Sequence, residues 1–304
     1  MAAEEERLKV PPPLRRTWRA LKYHGYGQGW LNASSRRRFE ASRPALSEAQ
    51  AKVVDGLRRD GFARIGVGEL LAGSGLWEAA EAAGREFVQS ERVRHGIESY
   101  QVGKAGGKNY LVRLWDSKPS LALDETWLRI GLAPALLDTV NSYLGLWSKL
   151  NYVDAWYTIP SPVARQAVAS QRWHRDPEDQ RLVKVFLYLS DVDEGAGPLE
   201  YVRGSHGLGP HARLWPNPDP GTASYPPEGE VEARIPAEDR VAGTGPAGTL
   251  IFCDTYGLHR GGLATERPRV LANWAYVTPA SIFARRFEVP DPGRLDGAAG
   301  FALR

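Results

Sequence analysis

Apolar positions change their rhythm near residue 149. Between residues 46 and 148 they recur at helical spacing, and beyond that they come as short runs separated by Gly, Pro and Asp. Ser47 and Glu48 ahead of Val53, Val54 and Leu57 predict an N-capped amphipathic helix that stops near Gly61. The run GFARIGV, 61–67, predicts a short strand. Leu76, Trp77, Ala80, Ala83 and Phe87 share one face of a helical stretch over 74–95, and 120–146 predicts two helices broken at Pro134. Apolar stripes at this spacing are core positions. Later runs read as strands: LNYVDAWYTIP (150–160), LVKVFLYLSDV (182–192), GPLEYVRGS (197–205), GTLIFCD (248–254) and PRVLANWAYVTP (268–279). Helices first and strands second predict an α+β protein whose second half is a β-sandwich or barrel. The Pro- and Gly-rich stretch 209–247 reads as a lid or binding loop.

Residues 1–45 fit neither rhythm and read as an irregular basic arm of net charge +6, on a chain whose total is only +3. Such an arm suits nucleic acid, an anionic membrane or an acidic partner, but Trp18, Tyr23, Tyr26, Trp30 and Phe39 favour packing on the body. GYGQG within it lacks the Lys-Ser/Thr of a phosphate loop. A single cysteine, Cys253, excludes an internal disulfide framework and a multi-cysteine zinc site, and reads as a buried strand residue. No long apolar run predicts a membrane span or signal peptide, so a cytoplasmic location is expected.

Chemistry concentrates in SQRWHRDPED, 170–179. On an extended backbone His174 and Asp176 face one side while Trp173 and Arg175 face the other. The sequence GTLIFCDTYGLHRGG, 248–262, brings His259 at the end of a strand and turn. Two histidines and one carboxylate form a face that leaves positions open on an octahedral Fe(II), room for a bidentate cosubstrate and O2. Structural zinc prefers closed tetrahedral sets. Arg269, ten residues beyond His259, offers a planar fork for a carboxylate, with Arg267 as the neighbouring alternative. His206 reads as a loop anchor and His211 as lid or surface; His24 and His95 have no readable partner.

The ordered set of His-x-Asp, GPLEYVRGSH, AGTLIFCDTYGLHRGG and the arginine of PRVLANWAYV resembles the phytanoyl-CoA dioxygenase (PhyH-like) family of Fe(II)/2-oxoglutarate-dependent oxygenases. The resemblance spans roughly residues 46–285. It implies a double-stranded β-helix (a jelly-roll or cupin-like barrel) over 149–285, buttressed by the helices of 46–148, with residues 286–304 as a tail. It also implies His174, Asp176 and His259 as iron ligands, Arg269 on the distal carboxylate of 2-oxoglutarate, Gln171 as a further cosubstrate contact and Trp156 as a wall of that pocket. Two departures stand out. The arginine is one residue closer to His259 than is common in the family. Gly261 stands where members often carry a small hydroxyl residue, which leaves Thr255, Tyr256 or another residue to make the second carboxylate contact. Asp176 argues against a halogenase, in which a small residue replaces that carboxylate.

The expected function is oxidation of a C–H bond of a small-molecule metabolite, most simply hydroxylation, with release of succinate and CO2. Arg172, Arg175, Arg181, Lys184, Arg203 and Arg260 crowd the expected mouth, either pairing with Glu178, Asp179, Asp191, Asp193 and Glu194 or meeting an anionic substrate group. Trp215 and Tyr225 in the long loop either cover a substrate or pin the loop down. The alternative reading is a non-catalytic jelly-roll binding protein. Nucleic acid is not the expected partner.

Overall fold

The computed structural model describes residues 17, 20, 25–100, 109–163, 167–219, 221–293 and 295–304. The packing expected of Trp18 and Tyr23 and the place of His24 lie outside these residues.

Helix α1 (Gly25–Ala41) corrects the expectation of an irregular arm. Glycines at 25, 27 and 29 disfavour a helix, and α1 has no apolar stripe to announce it. Tertiary bonds hold it instead. Asn32 accepts from the Ala280 N–H at 3.1 Å, Ser35 Oγ donates to the Trp147 carbonyl at 2.5 Å, and Gln28 donates to Asp179 at 3.2 Å. Phe39 is 4% exposed, but Trp30, also expected to pack, is 77% exposed.

Helix α2 (Glu48–Asp60) starts as its sequence predicts, with Ser47 and Gln50 exchanging cap hydrogen bonds. It ends at Gly61, whose φ of 74° only glycine adopts without strain. Strand β1 (Phe62–Gly66) follows, then the single turn α3 (Val67–Leu70). The helical stretch after residue 74 splits into α4 (Leu76–Gln89) and α5 (Glu91–Ser99), because Ser90 ends one and caps the other. After β2 (Leu111–Arg113), Pro134 separates α6 (Thr126–Leu132) from α7 (Pro134–Leu144) at the predicted position.

The strands form two antiparallel sheets. β3 (Lys149–Thr158), β4 (Leu182–Tyr188), β7 (Thr249–Cys253) and β9 (Arg269–Val277) build the large one, in the order β1-β7-β4-β9-β3-β2. The small one has the order β6-β5-β8, from β5 (Leu199–Val202), β6 (Arg240–Gly243) and β8 (His259–Gly261). Strand β6 and the short helix α8 (Glu230–Arg234) lie in the stretch expected to be loop throughout. A last helix, α9 (Gly297–Ala302), closes the chain.

Two cores sandwich the large sheet. Its outer face carries Val183, Val185, Leu187, Leu250, Phe252, Trp274 and Tyr276 against Leu57, Leu128, Ile130, Leu136 and Val140 of the helices. Each such side chain contributes roughly 1.5–3 kcal/mol by leaving water. Trp274 Nε1 donates to the Trp127 carbonyl at 2.6 Å and Tyr276 OH to the Gly131 carbonyl at 2.7 Å, which orients α6 on the sheet. The inner face packs Phe186, Tyr188, Ile251 and Leu271 against Leu199 and Tyr201 of the small sheet. The site lies between the two sheets.

Candidate active site

His174 and His259 meet across a backbone bridge. The His174 N–H donates to the His259 carbonyl at 2.9 Å, and the His259 N–H returns the bond at 3.0 Å. Directly opposed residues project to one face, so the imidazoles come together with centroids 4.2 Å apart. Asp176, two residues on, joins them, with 3.8 Å from His174 Nε2 to Oδ1 and 3.4 Å from His259 Nε2 to Oδ2. One ligand atom from each of the three residues lies within 4.8 Å of the others.

Both rings carry their proton on the side away from this cluster. Nδ1 of His174 lies 2.8 Å from the Arg172 carbonyl, and Nδ1 of His259 lies 2.9 Å from the Gly257 carbonyl. A carbonyl only accepts, so Nδ1 is the protonated nitrogen and Nε2 keeps its lone pair toward the cluster. Burial, then the neighbouring His259, pushes the His174 pKa down to about 3, so this ring is neutral. Burial raises the Asp176 carboxyl, but the Lys184 ammonium 2.7 Å away and His259 outweigh it and hold the group well below the usual range. Two imidazole Nε2 atoms turned to one point beside an ionised carboxylate are the donor set that suits a divalent iron.

In the sequence Lys184 belongs to a diffuse basic crowd. The fold buries it between Asp176 and Glu178, with Nζ 3.4 Å from Glu178 Oε1. Arg260 pairs with Glu200 and Glu232 at 2.9 and 3.0 Å. Arg175 has a different task. Its fully buried guanidinium donates to the carbonyls of Ser205, His211, Ala212, Leu214 and Tyr256 at 2.5–3.3 Å. Asn217 adds a bond to the Asp176 carbonyl at 2.9 Å. These bonds fold the long loop around the His-x-Asp strand and bring Tyr225 flat against His174, 5.6 Å between centroids. Arg175→Met leaves several buried carbonyls without a donor, at about 1–3 kcal/mol each. We expect a stability loss of about 3–5 kcal/mol, read as a lower urea midpoint. An unchanged midpoint would show that water replaces the fork.

Arg269 opens β9 and is 6% exposed, yet its Nε and Nη1 have no hydrogen-bond partner. Burial lowers its pKa, and the nearby Tyr188 and Tyr110 offset that only in part. A Cβ at residue 261 would lie 3.2 Å from Arg269 Nη2, so Gly261 leaves space beside the fork. A buried guanidinium with unpaired N–H groups is the counterpart of a carboxylate. Arg267, the alternative, pairs with Asp193 and is half exposed.

The remaining expected residues sit as follows. Trp156 lies on the inner face of β3, across from Leu271, and donates to Tyr152 OH and Asp154 at 3.1 Å. Gln171 is buried and its Oε1 accepts from the Val168 N–H at 3.2 Å, a bond that serves the local turn. The Thr255 carbonyl accepts from the Asp176 N–H and the Tyr256 carbonyl from Arg175, so both lie beside the His-x-Asp strand. His206 anchors its loop to the Arg58 carbonyl, His211 meets Asp239, and Cys253 is fully buried.

A family model described as phytanoyl-CoA dioxygenase (PhyH) matches residues 57–270. The chain belongs to the PhyH family. It is a non-haem iron(II)- and 2-oxoglutarate-dependent dioxygenase, with O2 as oxidant, and this decides between the enzyme and the non-catalytic binding protein. Solved structures share the fold at low identity. The α-ketoglutarate-dependent epimerase SnoN from nogalamycin biosynthesis is 20% identical over 75% of this chain and 83% of its own, with a TM-score of 0.51. EctD from S. alaskensis, solved with 2-oxoglutarate and 5-hydroxyectoine, is 18% identical over 86% of this chain and 90% of its own, with a TM-score of 0.52. The carbocyclase SnoK, also from nogalamycin biosynthesis, is 16% identical over 83% and 92%, with a TM-score of 0.50. No curated protein matches the PhyH-family chain. Among its described residues no helix is long and apolar enough to cross a membrane.

Proposed function

We propose that this PhyH-family enzyme hydroxylates a C–H bond of a polar small-molecule metabolite, with His174, Asp176 and His259 as the iron ligands and Arg269 as the anchor of 2-oxoglutarate. The observation that carries the reading is the pairing of two unlike donor sets: a buried His–carboxylate–His face and a buried guanidinium with unpaired N–H groups. One suits a divalent metal, the other the far carboxylate of a dicarboxylic keto acid. When bound, iron and 2-oxoglutarate supply the oxidising power that inserts oxygen from O2, with release of succinate and CO2.

The chain's own residues set the stage for that chemistry. The carbonyls of Arg172 and Gly257 hold the imidazole tautomers, and Lys184 keeps Asp176 ionised. Trp156 and Leu271 lie next to Thr158 and Arg269 along the inner face, and Gln171 stands close in sequence to the first ligand. Near the ligands, Tyr225 stacks on His174 and Lys184 joins Asp176 to Glu178; Arg286 Nη2 is 3.6 Å from Glu178 and Arg172 sits 5.2 Å over the Tyr225 ring. Charges of both signs there support a polar substrate over a bare hydrocarbon chain. The neighbour solved with 5-hydroxyectoine supports the same class.

The test is anaerobic titration of the metal-free protein with Fe(II), then 2-oxoglutarate. A weak visible charge-transfer band of a chelated keto acid is expected. Absence of the band, with no 2-oxoglutarate heat in calorimetry, would overturn the assignment.

A further inference from the structure

A carboxylate has two oxygens and about four lone-pair directions. Arg269 has unpaired N–H groups at Nε and Nη1, and one edge of its fork meets at most two of those directions, which leaves further lone pairs in a buried place where an unmet acceptor is costly. Other donors are therefore to be sought around the guanidinium.

Thr158 is the first. It pairs directly with Arg269 across β3 and β9, so both side chains leave the sheet on the same face with Cβ atoms about 5 Å apart. Thr158 is 1% exposed and its Oγ1 has no hydrogen-bond partner. The second donor is a pair of hydroxyls, since Tyr110 OH and Ser170 Oγ lie 3.0 Å apart. Two hydroxyls carry two protons and their mutual bond uses one, so one proton is left to give. Tyr110 is buried and within electrostatic reach of Arg269. Ser170 borders the same space, because its carbonyl lies 3.8 Å from where a Cβ of residue 261 would sit. Tyr188 also reaches Arg269 electrostatically, but its hydroxyl already donates to the Gly243 carbonyl at 2.6 Å.

We propose that Thr158 and the Tyr110–Ser170 hydroxyl pair complete the carboxylate clamp of Arg269, gripping the oxygen lone pairs that the guanidinium does not reach. The inference rests on the reading of Arg269 given above. It assigns binding roles to three residues from three separate parts of the chain. It also explains the unpartnered hydroxyl on β3.

The experiment is calorimetry of the Mn(II)-loaded protein with two ligands. One is 2-oxoglutarate; the other is 2-oxopentanoate, which has the same keto acid head and length but no distal carboxylate. Tyr110→Phe and Thr158→Val each remove one donor at nearly constant volume. Hydrogen bonds to charged groups are worth about 1.5–3 kcal/mol, so each variant should weaken 2-oxoglutarate about tenfold or more and leave 2-oxopentanoate unchanged. Ser170→Ala should fall between wild type and Tyr110→Phe. Gly261→Ser, which sets a hydroxyl beside Arg269 Nη2, should restore part of the affinity lost in Thr158→Val. If both variants bind 2-oxoglutarate as wild type does, while Arg269→Ala does not, the clamp is Arg269 alone and the proposal fails. It fails equally if the variants lose both ligands in parallel, which marks a structural role. If wild type itself does not prefer 2-oxoglutarate over 2-oxopentanoate, the assignment of Arg269 falls first.

Discussion

Arg269→Ala should weaken 2-oxoglutarate binding about a hundredfold or more while leaving Fe(II) affinity within about twofold. A bidentate guanidinium–carboxylate bond in a water-poor pocket carries about 3 kcal/mol or more, and each 1.4 kcal/mol is a factor of ten. The metal is held by other strands, so the two affinities separate. Stability should move the opposite way. In the ligand-free protein Arg269 is a desolvated cation with unpaired N–H groups, and its removal relieves that penalty. The variant should therefore melt at or above the wild-type temperature without 2-oxoglutarate, and lose the stabilisation that the cosubstrate gives wild type. Arg269→Lys should fall between, since an ammonium supplies the charge without the fork. Calorimetry and melting curves with and without cosubstrate read both effects. A variant with wild-type affinity would remove Arg269 from the site.

His174→Ala should abolish turnover and lower Fe(II) affinity by more than about a hundredfold, because loss of an outer-sphere partner alone costs about 10–100-fold and here a ligand itself is lost. The fold should survive. The bridge to His259 runs through the backbone of residue 174, and alanine keeps both of its hydrogen bonds. The imidazole's own bond goes only to the local Arg172 carbonyl, and Tyr225 loses a stacking partner but keeps its loop, which Arg175 and Asn217 hold. Circular dichroism should match wild type while the charge-transfer band on adding Fe(II) and 2-oxoglutarate disappears. Retained iron binding would show that His174 is a packing residue.

How much could be read in advance differs from residue to residue. Ser47 and Gly61 bound α2, each through contacts within four residues of itself, and Pro134 parts two helices by its missing N–H, so local chemistry sufficed. His174 and Asp176 were legible because alternation on an extended strand needs no distant partner. Helix α1 was not, since its glycines argue against a helix and the bonds that hold it come from residues 147, 179 and 280.

The sequence by itself determined the passage from helices to strands near residue 149, the shared face of His174 and Asp176, and the three residues able to make a facial metal set with an arginine beyond them. Those properties depend on side-chain type and on periods of 2 and 3.6, which are local. Only the tertiary structure decided that His259 lies opposite His174, that Thr158 lies opposite Arg269, and that Lys184 is the ion pair of Asp176. It also turned Arg175, a charged residue on the far side of the His-x-Asp strand, into the bolt of the loop that carries Tyr225. Strand register across chain separations of a hundred residues is set by which pairing buries both cores at once. No short stretch of sequence contains that information.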